Sequence, residues 1–158
     1  MKKIIIFSVS AFLYLPLFVF SKQIIGIYET VSLPTKNLVL RAKVDSGATN
    51  SSLHAVNIKR YYHHQREWVS FDTVNENGNV VSLSAIVKRT AKIKRHDGNS
   101  QERPVIEIGL CIGSIFREAE VNLIDRSMFD YSLLIGRSYL EGNFLIDVSI
   151  EYSAKPDC

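Results

Sequence analysis

Asp45 is the residue best placed to do chemistry in this chain. It ends the apolar run Leu38-Val39-Leu40-Arg41-Ala42-Lys43-Val44 and is followed by Ser46 and Gly47. A carboxylate at the end of a buried strand, then a hydroxyl and a glycine, sits on a tight loop. Backbone N–H groups and the neighbouring hydroxyl can hold it ionised there. Two such carboxylates around one water form an acid–base pair: one takes a proton from the water, the other gives one to a carbonyl. Their closeness splits the two pKa values, so the pair works carrying a single proton. The chain holds only one Asp-Ser-Gly, because Asp125 and Asp147 also end apolar runs but precede Arg126 and Val148. A two-fold homodimer would supply the second Asp45. The bare string is also an ordinary turn, so its surroundings must decide.

Other chemistries find less support. The histidines are His54, His63, His64 and His96, and none stands in the H-E-x-x-H arrangement of a zinc hydrolase. There is no G-x-x-x-x-G-K-[ST] phosphate loop, so neither ATP nor zinc is expected, and no cofactor. His54 reads as a hydrogen-bonded structural histidine, His63 and His64 as surface residues beside Tyr61 and Tyr62, and Trp68 as a core or hairpin-base aromatic. Asp125 and Asp147 read as structural acceptors at strand ends. The formal net charge is +3, and the basic run Lys88 to Arg95 alternates like a strand with a solvated face, so nucleic-acid binding is not expected.

The elements that must position Asp45 are almost all strands. Met1-Lys2-Lys3, the apolar stretch Ile4 to Phe20 and the small residues Val19 and Ser21 form a signal-peptide pattern over residues 1–21. An uncleaved anchor is the alternative, and the only expected contact with a membrane. Removing residues 1–21 takes two of the 19 lysines and arginines, leaving 17 against 16 carboxylates. The mature chain is then expected outside the cytoplasm, in the periplasm, with secretion or N-terminal anchoring as alternatives. Export permits a Cys111–Cys158 disulfide. The expectation is nevertheless a buried free thiol at Cys111 and a mobile Cys158 at the chain end.

Within 22–150 the sequence reads as one all-β domain. Strands are expected over Ile24–Leu33, Leu38–Val44, Trp68–Val74, Val80–Val87, Ala91–Arg95, Pro104–Leu110, Ile115–Ile124, Leu133–Ile135 and Phe144–Val148. Asn75–Asn79 and His96–Ser100 are hairpin tips. Gly136–Gly142 is a short helix ending at its glycine, and 151–158 is a tail.

Val44-Asp45-Ser46-Gly47-Ala48 and Leu133-Leu134-Ile135-Gly136-Arg137 lie at opposite ends of this domain. With Ser52-Leu53-His54-Ala55, Gly136-Arg137-Ser138 and Phe144-Leu145-Ile146-Asp147, they resemble the bacterial retropepsin-like aspartic proteases, a family often labelled ATP-dependent zinc proteases. The resemblance covers roughly residues 24 to 150. It implies a closed acid-protease barrel with one short C-terminal helix, a homodimer and a peptide or protein substrate. It further implies that Asp45 is base and acid by turns, that Ser46 bonds across the dimer axis, and that Gly47 lets substrate approach. Ala48 would line the floor, Gly136 would pack beneath the loop with Arg137, and His96, Asp97 and Gly98 would belong to a flap. Retroviral members carry an acid at the position of Thr49 that pairs with the arginine, so the partner of Arg137 is left open. An exported peptide-binding or dimerisation module of the same fold is the alternative function. For the enzyme, the dyad implies an acidic optimum.

Overall fold

The computed structural model describes residues 21–94, 98 and 100–158. The expected leader lies outside these residues apart from Ser21, as do His96 and Asp97 of the flap tip. The strands are β1 (Gln23–Ile25), β2 (Tyr28–Leu33), β3 (Leu38–Val44), β4 (Ser51–His54), β5 (Val56–His63), β6 (Arg66–Val74), β7 (Val80–Lys94), β8 (Ser100–Ile112), β9 (Ile115–Ile124), β10 (Leu133–Ile135) and β11 (Phe144–Ile146). One short helix, α1, spans Arg137–Leu140.

Nine strands form one sheet in the order β2-β3-β10-β4-β9-β8-β7-β6-β5, and β1 pairs separately with β11. A further pairing, Ser32 with Cys111, joins β2 to β8. It closes β2, β3, β10, β4, β9 and β8 into a ring. The fold is all-β and retropepsin-like in architecture. The ring fills with inward residues of alternating strands: Leu40, Ala42 and Val44 of β3 are buried while Arg41 and Lys43 between them are exposed. Ile106, Leu110, Val121, Leu133 and Ile135 are fully buried, each contributing about 1.5–3 kcal/mol relative to exposure.

β10 runs parallel to β3, with Ile135 opposite Val44, and antiparallel to β4, with Leu133 opposite Leu53. Three residues sandwiched in this way tie the two ends of the domain together at Asp45.

Several expected boundaries shift. The first strand divides at Gly26–Ile27, because Gly26 turns its N–H onto the Glu29 carboxylate at 2.6 Å. The two strands expected before the flap are one, β7, which pairs with β6 along its first half and β8 along its second. A register shift between Val87 and Arg89 marks the crossover. β5 was not expected at all.

The cysteines overturn their expectation. Cys111 and Cys158 are disulfide-bonded, with Cα atoms 6.1 Å apart. The tail is led there along a defined path. Tyr152 N–H donates to Tyr28 O at 2.7 Å and Asp157 N–H to Gly113 O at 2.8 Å. Glu29, fully buried, accepts from Ser153 Oγ at 2.8 Å and Ala154 N–H at 3.0 Å. Cys158 is fixed rather than mobile.

Candidate active site

The β3 ladder continues one residue past Val44, since Asp45 N–H donates to Ile135 O at 2.9 Å. The chain then turns, and the half-buried Asp45 carboxylate folds back over the loop. Its Oδ1 accepts from Gly47 N–H at 2.9 Å and Ala48 N–H at 3.2 Å. Gly47 leaves the space the carboxylate needs, because a Cβ there would stand 3.1 Å from Oδ1. Ser46 and Gly47 are exposed and Ala48 is half-buried, so the loop faces outward.

Gly136 lies beneath this loop. A Cβ on it would be 2.6 Å from the carbonyl carbon of Asn50 and 2.7 Å from its oxygen. Its N–H donates to Ser51 Oγ at 3.1 Å. Arg137 completes the cradle, and its guanidinium donates to Ser46 O at 2.8 Å, Gly47 O at 2.9 Å and Thr49 Oγ1 at 3.0 Å. Thr49 and two loop carbonyls therefore take the part the resemblance left open. Arg137 N–H also donates to Ala48 O at 2.9 Å and Ser138 N–H to Thr49 O at 3.0 Å. The structure thus brings Asp45, Ser46, Gly47, Ala48, Gly136 and Arg137 together. Gly98 has φ 82° at the far end of the β7–β8 hairpin.

A buried polar layer beside the loop is not evident from the sequence. Arg126 is 7% exposed and donates to Ser52 Oγ at 2.9 Å and Tyr131 O at 3.0 Å, with its guanidinium 4.8 Å from the Phe129 ring centroid. Asn122 donates to Ser51 O at 2.7 Å and accepts from Arg103 at 3.2 Å. Burial pushes the Arg126 pKa down and the Arg103 charge adds to that, while Asp45 opposes both. Asp45 and Arg126 are therefore electrostatic neighbours.

His54 is structural: its Nδ1 accepts Arg126 N–H at 2.9 Å. A ring nitrogen used as acceptor belongs to a neutral imidazole, so the 3.8 Å approach of Asp125 is no ion pair in that state. Asp125 and Asp147 accept from the hydroxyl and N–H of Ser127 and Ser149, respectively. Those bonds, hydroxyl first, hold both carboxyls below their ordinary pKa. His63 and His64 are exposed at the β5–β6 turn. Among the described residues no three His, Cys, Asp or Glu side chains converge as a metal site requires.

Comparison with known proteins bears on family and fold. A model of the RimB-like family, described as retropepsin-like aspartic endopeptidase RimB, matches residues 24–157. A probable alpha-L-glutamate ligase of Desulfotalea psychrophila is 33% identical over 135 residues, 83% of this chain and 29% of that protein. One from Shewanella pealeana is 33% identical over 133 residues, 82% of this chain and 29% of its own. The chain thus spans less than a third of the length of these relatives. A crystal structure of a Legionella pneumophila protein of unknown function superposes with a TM-score of 0.73 at 32% identity, covering 85% of this chain and all of the other.

Proposed function

The chain belongs to the RimB-like family of retropepsin-like aspartic endopeptidases, and we propose on that footing that it hydrolyses peptide bonds with the Asp45 carboxylates of two copies. One Asp45 takes a proton from a water held between the pair while the other protonates the scissile carbonyl oxygen. The tetrahedral intermediate then collapses as a proton passes to the leaving nitrogen. Ser46 hydrogen-bonds across the two-fold axis, Gly47 gives room to water and substrate, and the β7–β8 hairpin closes over the cleft. With the leader over residues 1–21 removed, the reaction takes place in the periplasm.

The observation that carries this reading is the Asp45 loop. Its carboxylate is held by Gly47 and Ala48 N–H groups, and its carbonyls are gripped by Arg137. What sets this turn apart from those at Asp125 and Asp147 is the Arg137 guanidinium on its carbonyls and the Gly136 backbone packed against Asn50 beneath it.

A second reading, a peptide-binding or dimerisation module without catalysis, draws on the relatives. Proteins named for making a bond contain a region similar to this chain, and such a region could present a peptide rather than cut it.

Proteolysis of a denatured protein mixture between about pH 4 and 8, by residues 22–158, by Asp45→Asn and with a chelator, separates the two. Cleavage lost in Asp45→Asn and indifferent to chelator supports the aspartic enzyme. Cleavage that survives the substitution, or stops with the chelator, overturns it. Absence of cleavage by the dimer moves the assignment to the binding module.

A further inference from the structure

The tail after β11 is held down by polar contacts rather than by burial. From Glu151 to Cys158 only Ala154 is buried, and so little apolar surface leaves a segment near the low end of local stability. Its fastening is the Cys111–Cys158 disulfide. A covalent link makes docking of the tail intramolecular and raises its effective concentration over its seat.

That seat leads to Asp45. Among the described residues, the buried Glu29 carboxylate accepts four hydrogen bonds. One comes from Gly26 N–H at 2.6 Å, and three come from the tail: Ser153 N–H at 3.2 Å, Ser153 Oγ at 2.8 Å and Ala154 N–H at 3.0 Å. Gly26 leaves room for Ile150 O, which would collide with a Cβ there. Ile150 O accepts Ile27 N–H at 3.2 Å, and Ile27 O accepts Val44 N–H at 2.9 Å, one residue before Asp45. Tyr152 N–H donates to Tyr28 O, and Tyr28 stands opposite Lys43 in the β2–β3 ladder. The tail therefore braces the corner 26–29 on which the end of β3 hangs. Once released, it takes three of the four donors from Glu29 and leaves a carboxylate in need of new partners. Docked and released are two discrete arrangements, which is what coupling between distant groups requires.

We propose that the Cys111–Cys158 bond is a redox latch: formed, it docks the tail on Glu29 and steadies the Asp45 loop; reduced by a dithiol, it frees the tail and loosens that loop. It rests on the peptidase reading only in taking Asp45 as the working group. The two sulfurs differ in access, since Cys111 is fully buried and Cys158 exposed. A thiolate of the dithiol attacks Cys158 Sγ, the S–S bond breaks, and Cys111 leaves. The second thiol then displaces Cys158 and closes the reductant's own disulfide. Two electrons pass to the protein, and each cysteine takes up one of the dithiol's two protons. A disulfide donor runs the exchange backwards, so the steadied loop belongs to an oxidising compartment.

Amide hydrogen exchange on the full mature chain reads the latch without any activity. The disulfide form is compared with the same protein in dithiothreitol and with Cys158→Ser, which frees the tail while leaving Cys111 in the core. In both, exchange over 150–158 and 41–49 is expected to quicken by about tenfold or more relative to that of β6. Reoxidation of the wild type by a disulfide donor is expected to restore the slow exchange. A bond that survives dithiothreitol in the folded protein overturns the proposal, as does a freed tail with unchanged exchange over 41–49. Equal quickening in β6 overturns it too, because the bond would then be a general stabiliser. Peptide cleavage is assayed on the same samples. Its absence from the disulfide form counts against the peptidase alone, since exchange decides the latch.

Discussion

Replacing Gly136 by alanine adds one methyl group at the closest approach between two backbones near Asp45. Gly136 has φ −93° and ψ 172°, extended values any residue adopts, so no conformational strain enters. The cost is contact alone. The new Cβ would lie 2.6 Å from the Asn50 carbonyl carbon, about 0.8 Å inside the 3.4 Å at which ordinary contact begins. Its obstacle is backbone rather than a flexible side chain. Relief requires moving β10 from the loop, against the bonds from Asp45 N to Ile135 O, Arg137 N to Ala48 O and Ser138 N to Thr49 O. Overpacking of this kind costs about 1–3 kcal/mol. Because β10 holds Asp45 through the Asp45 N–H to Ile135 O bond, a shift approaching 1 Å is expected to lower kcat by roughly 100-fold. Urea unfolding measures the first effect and proteolysis at fixed substrate the second. A Gly136→Ala protein with the wild-type midpoint and wild-type rate would refute the claim that close packing at Gly136 holds the loop.

Arg137→Gln removes the grip on Ser46 and Gly47 carbonyls at an exposed position, so kcat should fall by more than tenfold while stability changes by only about 1 kcal/mol, as paired kinetics and unfolding would show. Cys158→Ser releases a crosslink spanning 47 residues and should lower stability by about 2–4 kcal/mol in urea. Asp125 and Asp147 have pKa values below the ordinary 3.8. A depressed folded-state pKa stabilises above the unfolded value and loses that contribution as pH falls through the folded one. The urea midpoint should therefore drop as pH falls below about 4, with a shallower drop in the Ser127→Ala, Ser149→Ala double variant.

β3, β9 and β10 are legible in the sequence to the residue, because each has a sharp apolar pattern and a clear terminator. The Asp45 loop and its Gly136 support are legible as well, since both depend on short strings whose meaning is local. β5 is hidden for a physical reason: Asn57 to His63 are all exposed, so no apolar period reports the strand, and its ladder is dictated by β6. Its turn uses His64 and Gln65 at φ 47° and 61°, without the Asn-Gly signal of such turns. Glu29 did leave a trace, as a carboxylate at an inward position alternating with Val31 and Leu33. Beyond the nearby Gly26 N–H, what it binds comes from 124 residues away, beyond any local pattern. Arg126 is ordinary in the sequence, and its burial exists only once β4 and residues 127–131 fold around it.

The central claim is that one reaction uses two copies of Asp45, and subunit mixing tests it most directly. Wild-type and Asp45→Asn chains are mixed in equal amounts, allowed to exchange, and assayed against the wild type at the same total concentration. If both carboxylates are needed, only dimers with two wild-type chains work, and the rate settles at about a quarter of the unmixed value. A rate of about half, linear in the wild-type fraction, would mean that each chain works alone and would contradict the shared dyad.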